Sequence, residues 1–237
     1  MALTPHAPRA ILFDKDGTLF DFRKTWGAWT GQFVLEITDG PAHAAEVAAV
    51  MDYDLEAMVH RPSSPFIAGS IDDWVETILP ALPRYDRDGL KSEIVAKTSL
   101  ARQMPAVPLD PLLTELRGRG LPLGVATNDG IAPVTRHLEA QGIAEYFAFV
   151  AGFDSGFGPK PGPGMLLAFA DAVGVAPADV AMIGDSTHDL EAAAAAGMRG
   201  VAVLTGMAGV DALAPHAEVV LPDIGHLPGW LAGFAPA

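Results

Sequence analysis

Ala10-Ile11-Leu12-Phe13 is an apolar run without polar alternation, the pattern of a strand covered on both faces, and it runs straight into Asp14-Lys15-Asp16-Gly17-Thr18-Leu19. Gly17 supplies a tight turn that would aim both acids into one crevice at the carboxyl end of a parallel sheet. From Asp21 to Pro105 the pattern turns helical. Trp26, Trp29, Phe33 and Ile37 recur at helical spacing, and Ala42 to Val59 is rich in helix formers. Pro62-Ser63-Ser64-Pro65 interrupts, and Ile71 to Leu79 and Leu90 to Leu100 resume. No strand is expected there, and the tryptophan pair reads as packing on one helical face.

Beyond Val107 helices alternate with apolar runs. Helices are expected over Asp110 to Arg119, Ile131 to Gln141, Met165 to Val173 and Leu190 to Ala196, the last stopped by Gly197. Strands are expected at Leu121 to Ala126, Phe147 to Ala151, Val180 to Ile183, Val201 to Leu204 and Val219 to Leu221. This alternation predicts an α/β fold, a doubly wound parallel sheet of Rossmann-like form. The core would be residues 1–20 and 106–237. Residues 21–105 would be an all-helical cap, inserted after the first strand and sitting over the strand ends. The alanine-rich Ala192 to Ala196 reads as a buried helix that needs close approach.

The 237 residues are 50% hydrophobic and 19% charged, which suits a folded protein with a sizeable core. A formal charge of −14 repels polyanions, so neither nucleic acid nor an anionic membrane surface is an expected partner. A small anionic substrate is compatible with that field where local cations overcome it. The absence of cysteine excludes disulfides, thiolate metal sites and cysteine nucleophiles. Met1 to Arg9 lacks the pattern of a signal peptide, and no stretch approaches the ~18 apolar residues of a membrane helix, so the expected compartment is the cytoplasm.

Three further polar groups follow strand candidates as Asp14 and Asp16 do. They are Thr127-Asn128-Asp129-Gly130, Lys160 in Gly156-Phe157-Gly158-Pro159-Lys160-Pro161-Gly162-Pro163, and Gly184-Asp185-Ser186-Thr187-His188-Asp189. Parallel strands bring these ends to one edge. Each has a plainer reading: solvated turn acids for Asp14 and Asp16, a turn and helix cap at Thr127 to Gly130, a loop lysine, and helix-capping aspartates. A calcium loop fails outright, because its sixth and twelfth positions counted from Asp14 are Leu19 and Thr25. The plainer readings together require four coincidences in order.

In that order, Asp-x-Asp-Gly-Thr, Thr-Asn, Lys-Pro and Gly-Asp-Ser-x-x-Asp resemble the haloacid dehalogenase-like superfamily, and within it the phosphoglycolate-phosphatase-like group with a helical cap. The resemblance implies that Asp14 is the nucleophile forming an aspartyl-phosphate, and that Asp16 is first acid and then base. It implies Mg²⁺ held by the Asp14 carboxylate, the Asp16 backbone carbonyl and Asp185, with Asp189 orienting the groups around it. It also implies that Thr127 and the Asn128 backbone N–H hold phosphoryl oxygens and that Lys160 supplies positive charge. Asp16 separates the chain from dehalogenases, which lack the second aspartate. The implied function is a Mg²⁺-dependent phosphatase of a small phosphomonoester, phosphoglycolate or a sugar phosphate. The alternatives are a sugar-phosphate mutase of the β-phosphoglucomutase type and a catalytically idle binding protein. Arg23 and Arg61 are candidate partners for a substrate carboxylate, each also readable as a surface arginine, and His60 to Phe66 is a candidate cap loop. Phe22 stands where many relatives carry a small polar residue, and His188 reads as loop. The chain is expected to act as a monomer or homodimer.

Overall fold

A computed structural model describes residues 6–61, 63–67 and 71–234. Met1 to Pro5 of the stretch read for a signal peptide, and Pro62 of the Pro62–Pro65 breaker and His60–Phe66 loop, lie outside the described residues. In chain order the elements are β1 (Ala10–Phe13), α1 (Ala28–Ile37), α2 (Pro41–Val50), β2 (Tyr53–Asp54), β3 (Val59–His60), α3 (Ile71–Ile78), α4 (Arg87–Thr98), α5 (Leu109–Gly118) and β4 (Leu123–Ala126). They continue with α6 (Ile131–Ala140), β5 (Phe149–Ala151), α7 (Gly164–Val173), β6 (Val180–Gly184), α8 (Thr187–Ala196), β7 (Arg199–Val203), α9 (Val210–Leu213), β8 (Val219–Leu221) and α10 (Leu227–Ala232). The chain divides into two compact units, Met1–Asp21 with Gln103–Ala237, and Phe22–Arg102.

The first unit is built on a six-stranded sheet in the order β5-β4-β1-β6-β7-β8, with every neighbouring pair parallel. This is the predicted α/β class, and its physical basis is visible along β1. Ile11 and Phe13 pack on one face with Leu112 and Leu116 of α5, Leu138 of α6 and Leu231 of α10, while Ala10 and Leu12 pack on the other with Phe169 of α7 and Ala192 and Ala193 of α8. Both faces are therefore buried, which is why the strand reads as a continuous apolar run. Truncating Phe13 to Ala would cost about 3–5 kcal/mol. Small residues allow close approach below: a Cβ on Gly124 would lie 2.7 Å from the Phe169 ring. The chain leaves and re-enters this unit through a short antiparallel pairing, in which Asp21 N–H donates to the Met104 carbonyl at 2.9 Å and Ala106 N–H to that of Leu19 at 3.0 Å.

The second unit packs α1 to α4 around Phe33, Ile37, Met51, Ile78, Leu90 and Ile94. Trp29 stacks on Phe33 with ring centroids 5.0 Å apart and meets Trp26 edge-on at 5.5 Å. The expectation of an all-helical segment needs correction. α2 stops at Val50, and residues expected to continue the helix toward Val59 form an antiparallel hairpin pairing Tyr53 with His60 and Asp54 with Val59. Asp52 takes a left-handed φ of 49°, and Asp54 Oδ1 accepts the N–H groups of Glu56 and Ala57. Such side-chain bonds offer the backbone an alternative to the helix.

Candidate active site

β1, β4, β5 and β6 end on one edge of the sheet, and the residues that follow them converge. Asp14 continues β1, its N–H donating to the Ile183 carbonyl at 2.8 Å. Lys160 is buried, and its Nζ spends its three donors on Asp14 Oδ1 at 2.7 Å, Asp189 Oδ1 at 2.6 Å and the Ala126 carbonyl at 2.8 Å. Asp185 follows Gly184 at the end of β6. Asp189 sits in the first turn of α8, in a capping box with Ser186, whose N–H and hydroxyl both donate to its Oδ2.

Asp14, Asp185 and Asp189 are all buried, and each offers a carboxylate oxygen within 4.8 Å of the others. Burial, reinforced by Asp189 and Asp16 against the pull of Lys160, pushes the Asp14 carboxyl up to about 7. Burial and the Asp189 and Asp14 charges push Asp185 well above the usual carboxylate range. When ionised, these three acids against one ammonium leave two negative charges, which suits a hard divalent cation. Both oxygens of Asp189 already accept hydrogen bonds, so Asp14 and Asp185 are the better-disposed ligands. The Asp16 carboxylate is not one of the three; its Oδ2 lies 2.9 Å from Lys15 Nζ.

Thr127 is buried at the end of β4, and its hydroxyl oxygen accepts the Asp129 N–H at 3.1 Å, which leaves its own proton to donate. Arg23 and Arg61 belong to the second unit. Arg23 is exposed on a π-helical turn before α1, and Arg61, 60% exposed, directs its guanidinium to Asp52 and Asp54 at 3.9 and 3.7 Å. His188 is half-buried in the first turn of α8.

A family model described as haloacid dehalogenase-like hydrolase matches residues 8–197, a span that holds every one of these acids and Lys160. The chain belongs to the haloacid dehalogenase-like hydrolases. Among curated relatives it is 31% identical to the phosphoglycolate phosphatase of Rhodospirillum rubrum over 96% of this chain and 92% of that protein. It is 28% identical to the phosphoglycolate phosphatase of Neisseria meningitidis over 96% and 91%. A solved haloacid dehalogenase family hydrolase from Deinococcus radiodurans shares the fold with a TM-score of 0.70 at 21% identity, covering 99% of this chain and all of that one.

Three features of this hydrolase were not singled out from sequence. Asn128 uses its side chain as a two-way clamp on the Lys160 backbone, accepting its N–H at 2.8 Å and donating to its carbonyl at 2.9 Å. After β7, the Thr205 hydroxyl donates to the Gly17 carbonyl at 2.6 Å, and Gly206 lies so close that a Cβ there would meet Asp185 Oδ2 at 1.6 Å. Thr205-Gly206 follows a strand end as the other motifs do, and that signal was available. The third is Lys15, fully buried between Asp16 and Asp129.

Proposed function

We propose that this hydrolase is a Mg²⁺-dependent phosphatase of small phosphomonoesters, with phosphoglycolate as the favoured substrate. The observation that carries the reading is the buried Asp14 carboxylate, held by Lys160 within a cluster of three acids at the ends of parallel strands. Mg²⁺ would be held by Asp14, Asp185 and the Asp16 backbone carbonyl, where it would neutralise phosphoryl charge and keep Asp14 ionised.

Asp14 attacks phosphorus while the ester P–O bond breaks, giving an aspartyl-phosphate and an alkoxide that takes its proton from Asp16. Asp16, now a carboxylate, removes a proton from the water that attacks phosphorus in turn. Inorganic phosphate leaves and Asp14 is regenerated. Lys160 keeps its ammonium on the nucleophile throughout, and the free Thr127 hydroxyl proton and Asn128 N–H serve phosphoryl oxygens. The names of the Rhodospirillum and Neisseria relatives support phosphoglycolate over sugar phosphates.

Phosphate release from a panel of alkyl and sugar phosphates with and without Mg²⁺, for wild type beside Asp14→Asn, tests the reading. Mg²⁺-dependent release by wild type alone is expected, highest with phosphoglycolate. No release from any ester overturns it.

A further inference from the structure

Lys15 lies between the two aspartates of the first motif, where alternation would send it away from the catalytic edge, yet its side chain is fully buried. Its Nζ reaches Asp16 Oδ2 at 2.9 Å, Asp129 Oδ2 at 2.8 Å and His137 Nδ1 at 3.2 Å. These three groups come from three segments: the turn after β1, the turn after β4 and helix α6. The Asp129 partner is itself fixed, since its Oδ1 accepts the Gly130 N–H at 2.8 Å and its own N–H is bound to Thr127. His137 is buried on α6 and can accept from an ammonium only through an unprotonated Nδ1.

We propose that Lys15 is a positioning residue that aims the Asp16 carboxyl at the leaving-group oxygen by anchoring it to Asp129 and His137. This rests on the phosphatase reading above, in which Asp16 handles the proton. A mobile Asp16 would sample many side-chain rotamers, and a proton donor displaced by an ångström loses much of its value. A buried cation that is itself held by the fixed Asp129 narrows that range. The same ammonium ties the Asp16 turn to the Thr127 turn, so donor and phosphoryl cradle keep one spacing.

The test compares kcat/KM of the full chain for an alkyl phosphate and for p-nitrophenyl phosphate. The alkyl oxygen needs a proton as it leaves, whereas nitrophenolate departs without one. Because kcat/KM reports steps only through the first irreversible one, later hydrolysis of the aspartyl-phosphate drops out. Lys15→Met, close in volume, is expected to lower kcat/KM for the alkyl ester at least about ten-fold more than for the aryl ester, within the 10²–10⁴ that a positioned general acid supplies. The ratio of the two, taken on one sample, is independent of how much of the variant is folded. Asp129→Asn, which weakens the anchor and keeps an oxygen for Lys15, shifts the ratio the same way by a smaller factor, and it stands in if Lys15→Met yields no soluble protein. Equal losses on both esters by these variants, with wild type active, overturn this proposal alone. No turnover of either ester by wild type overturns the phosphatase reading and this proposal with it.

Discussion

In the unit built on the parallel sheet, the buried polar side chains include ionisable groups of both signs, Asp14, Lys15, Lys160, Asp185 and Asp189. In the unit Phe22–Arg102 the buried polar side chains among the described residues are hydroxyls and one histidine: Thr25, Thr30, Thr38, His60, Ser64, Thr98 and Ser99. His60 shows how the second set is used. Its Nε2 and Nδ1 meet the Thr30 and Ser64 hydroxyls at 2.9 and 3.1 Å, and Tyr53 and Phe66 pack against its ring. Ser64 in turn donates to the Met51 carbonyl at 2.7 Å. That network closes on itself and pins a hairpin. The acids of the first unit do not balance, because burial drives Asp14 and Asp185 up. A buried charge set that is incomplete without a cation is costly for stability alone, so its presence points to chemistry.

Substitution at Asp14 should have the greatest effect. Asp14→Asn keeps the volume and removes the proposed nucleophile, and turnover should fall at least about 10³-fold in a phosphate-release assay while thermal unfolding changes little. Retained activity would reduce the acid cluster to a structural device like the His60 network. Lys160→Met comes next. It leaves Asp14 and Asp189 buried without their shared ammonium. Turnover should drop about 10²–10³-fold and stability by about 3–5 kcal/mol, read by urea unfolding.

The difference between the units also explains what could be read from sequence. β1, β4 and β6 are apolar runs because both their faces are covered, and each ends at its polar group, Asp14, Thr127 and Asp185, so the sheet and its polar edge were legible in one pass. The hairpin at Tyr53–His60 was not, because strands of two residues are too short to show a period of two. Lys15 sits between two acids in one turn. Its burial depends on Asp129 and His137, 114 and 122 positions away, and no local pattern carries that information. The Asn128 clamp on Lys160 spans 32 positions and is hidden for the same reason.

The buried histidine of the second unit should respond to pH. Burial holds His60 down at about 4 from an ordinary 6.5, so the unfolded chain takes up the proton first. Stability from this group is complete above about pH 7 and is lost as pH falls from 6.5 toward 4, by roughly 3 kcal/mol in all and roughly 2 by pH 5. Glu36, held low by its bond to Lys97, and Asp54, held low by the Ala57 N–H, lose their contributions mainly below that window. Trp26, Trp29 and Trp74 lie in this unit and only Trp230 in the other, so tryptophan fluorescence follows it. The raised Asp14 and Asp185 carboxyls add stability over the same fall in pH in both proteins, so between pH 7 and pH 5 the urea midpoint of wild type should fall relative to that of His60→Asn. A slope unchanged by the substitution would assign the acid sensitivity to other groups.

The smallest expected effect separates metal holding from folding on the charged side. Gly206 needs no special backbone angle, so a side chain there meets only a contact problem, and the contact is the Asp185 carboxylate at 1.6 Å. Asp185 is crowded by Gly17 as well, with a Cβ there 2.3 Å from its Cγ, and Thr205 ties the two loops together. In Gly206→Ala the carboxylate must rotate, and the Mg²⁺ concentration giving half-maximal activity should rise about 10–100-fold, with kcat recovered at saturating metal. Gly209→Ala, three positions on in open space, is the matched control and should leave that concentration unchanged. A loss in Gly206→Ala that excess Mg²⁺ does not recover would place the damage in the loop, and Asp185 would then owe its position to folding in the way His60 does.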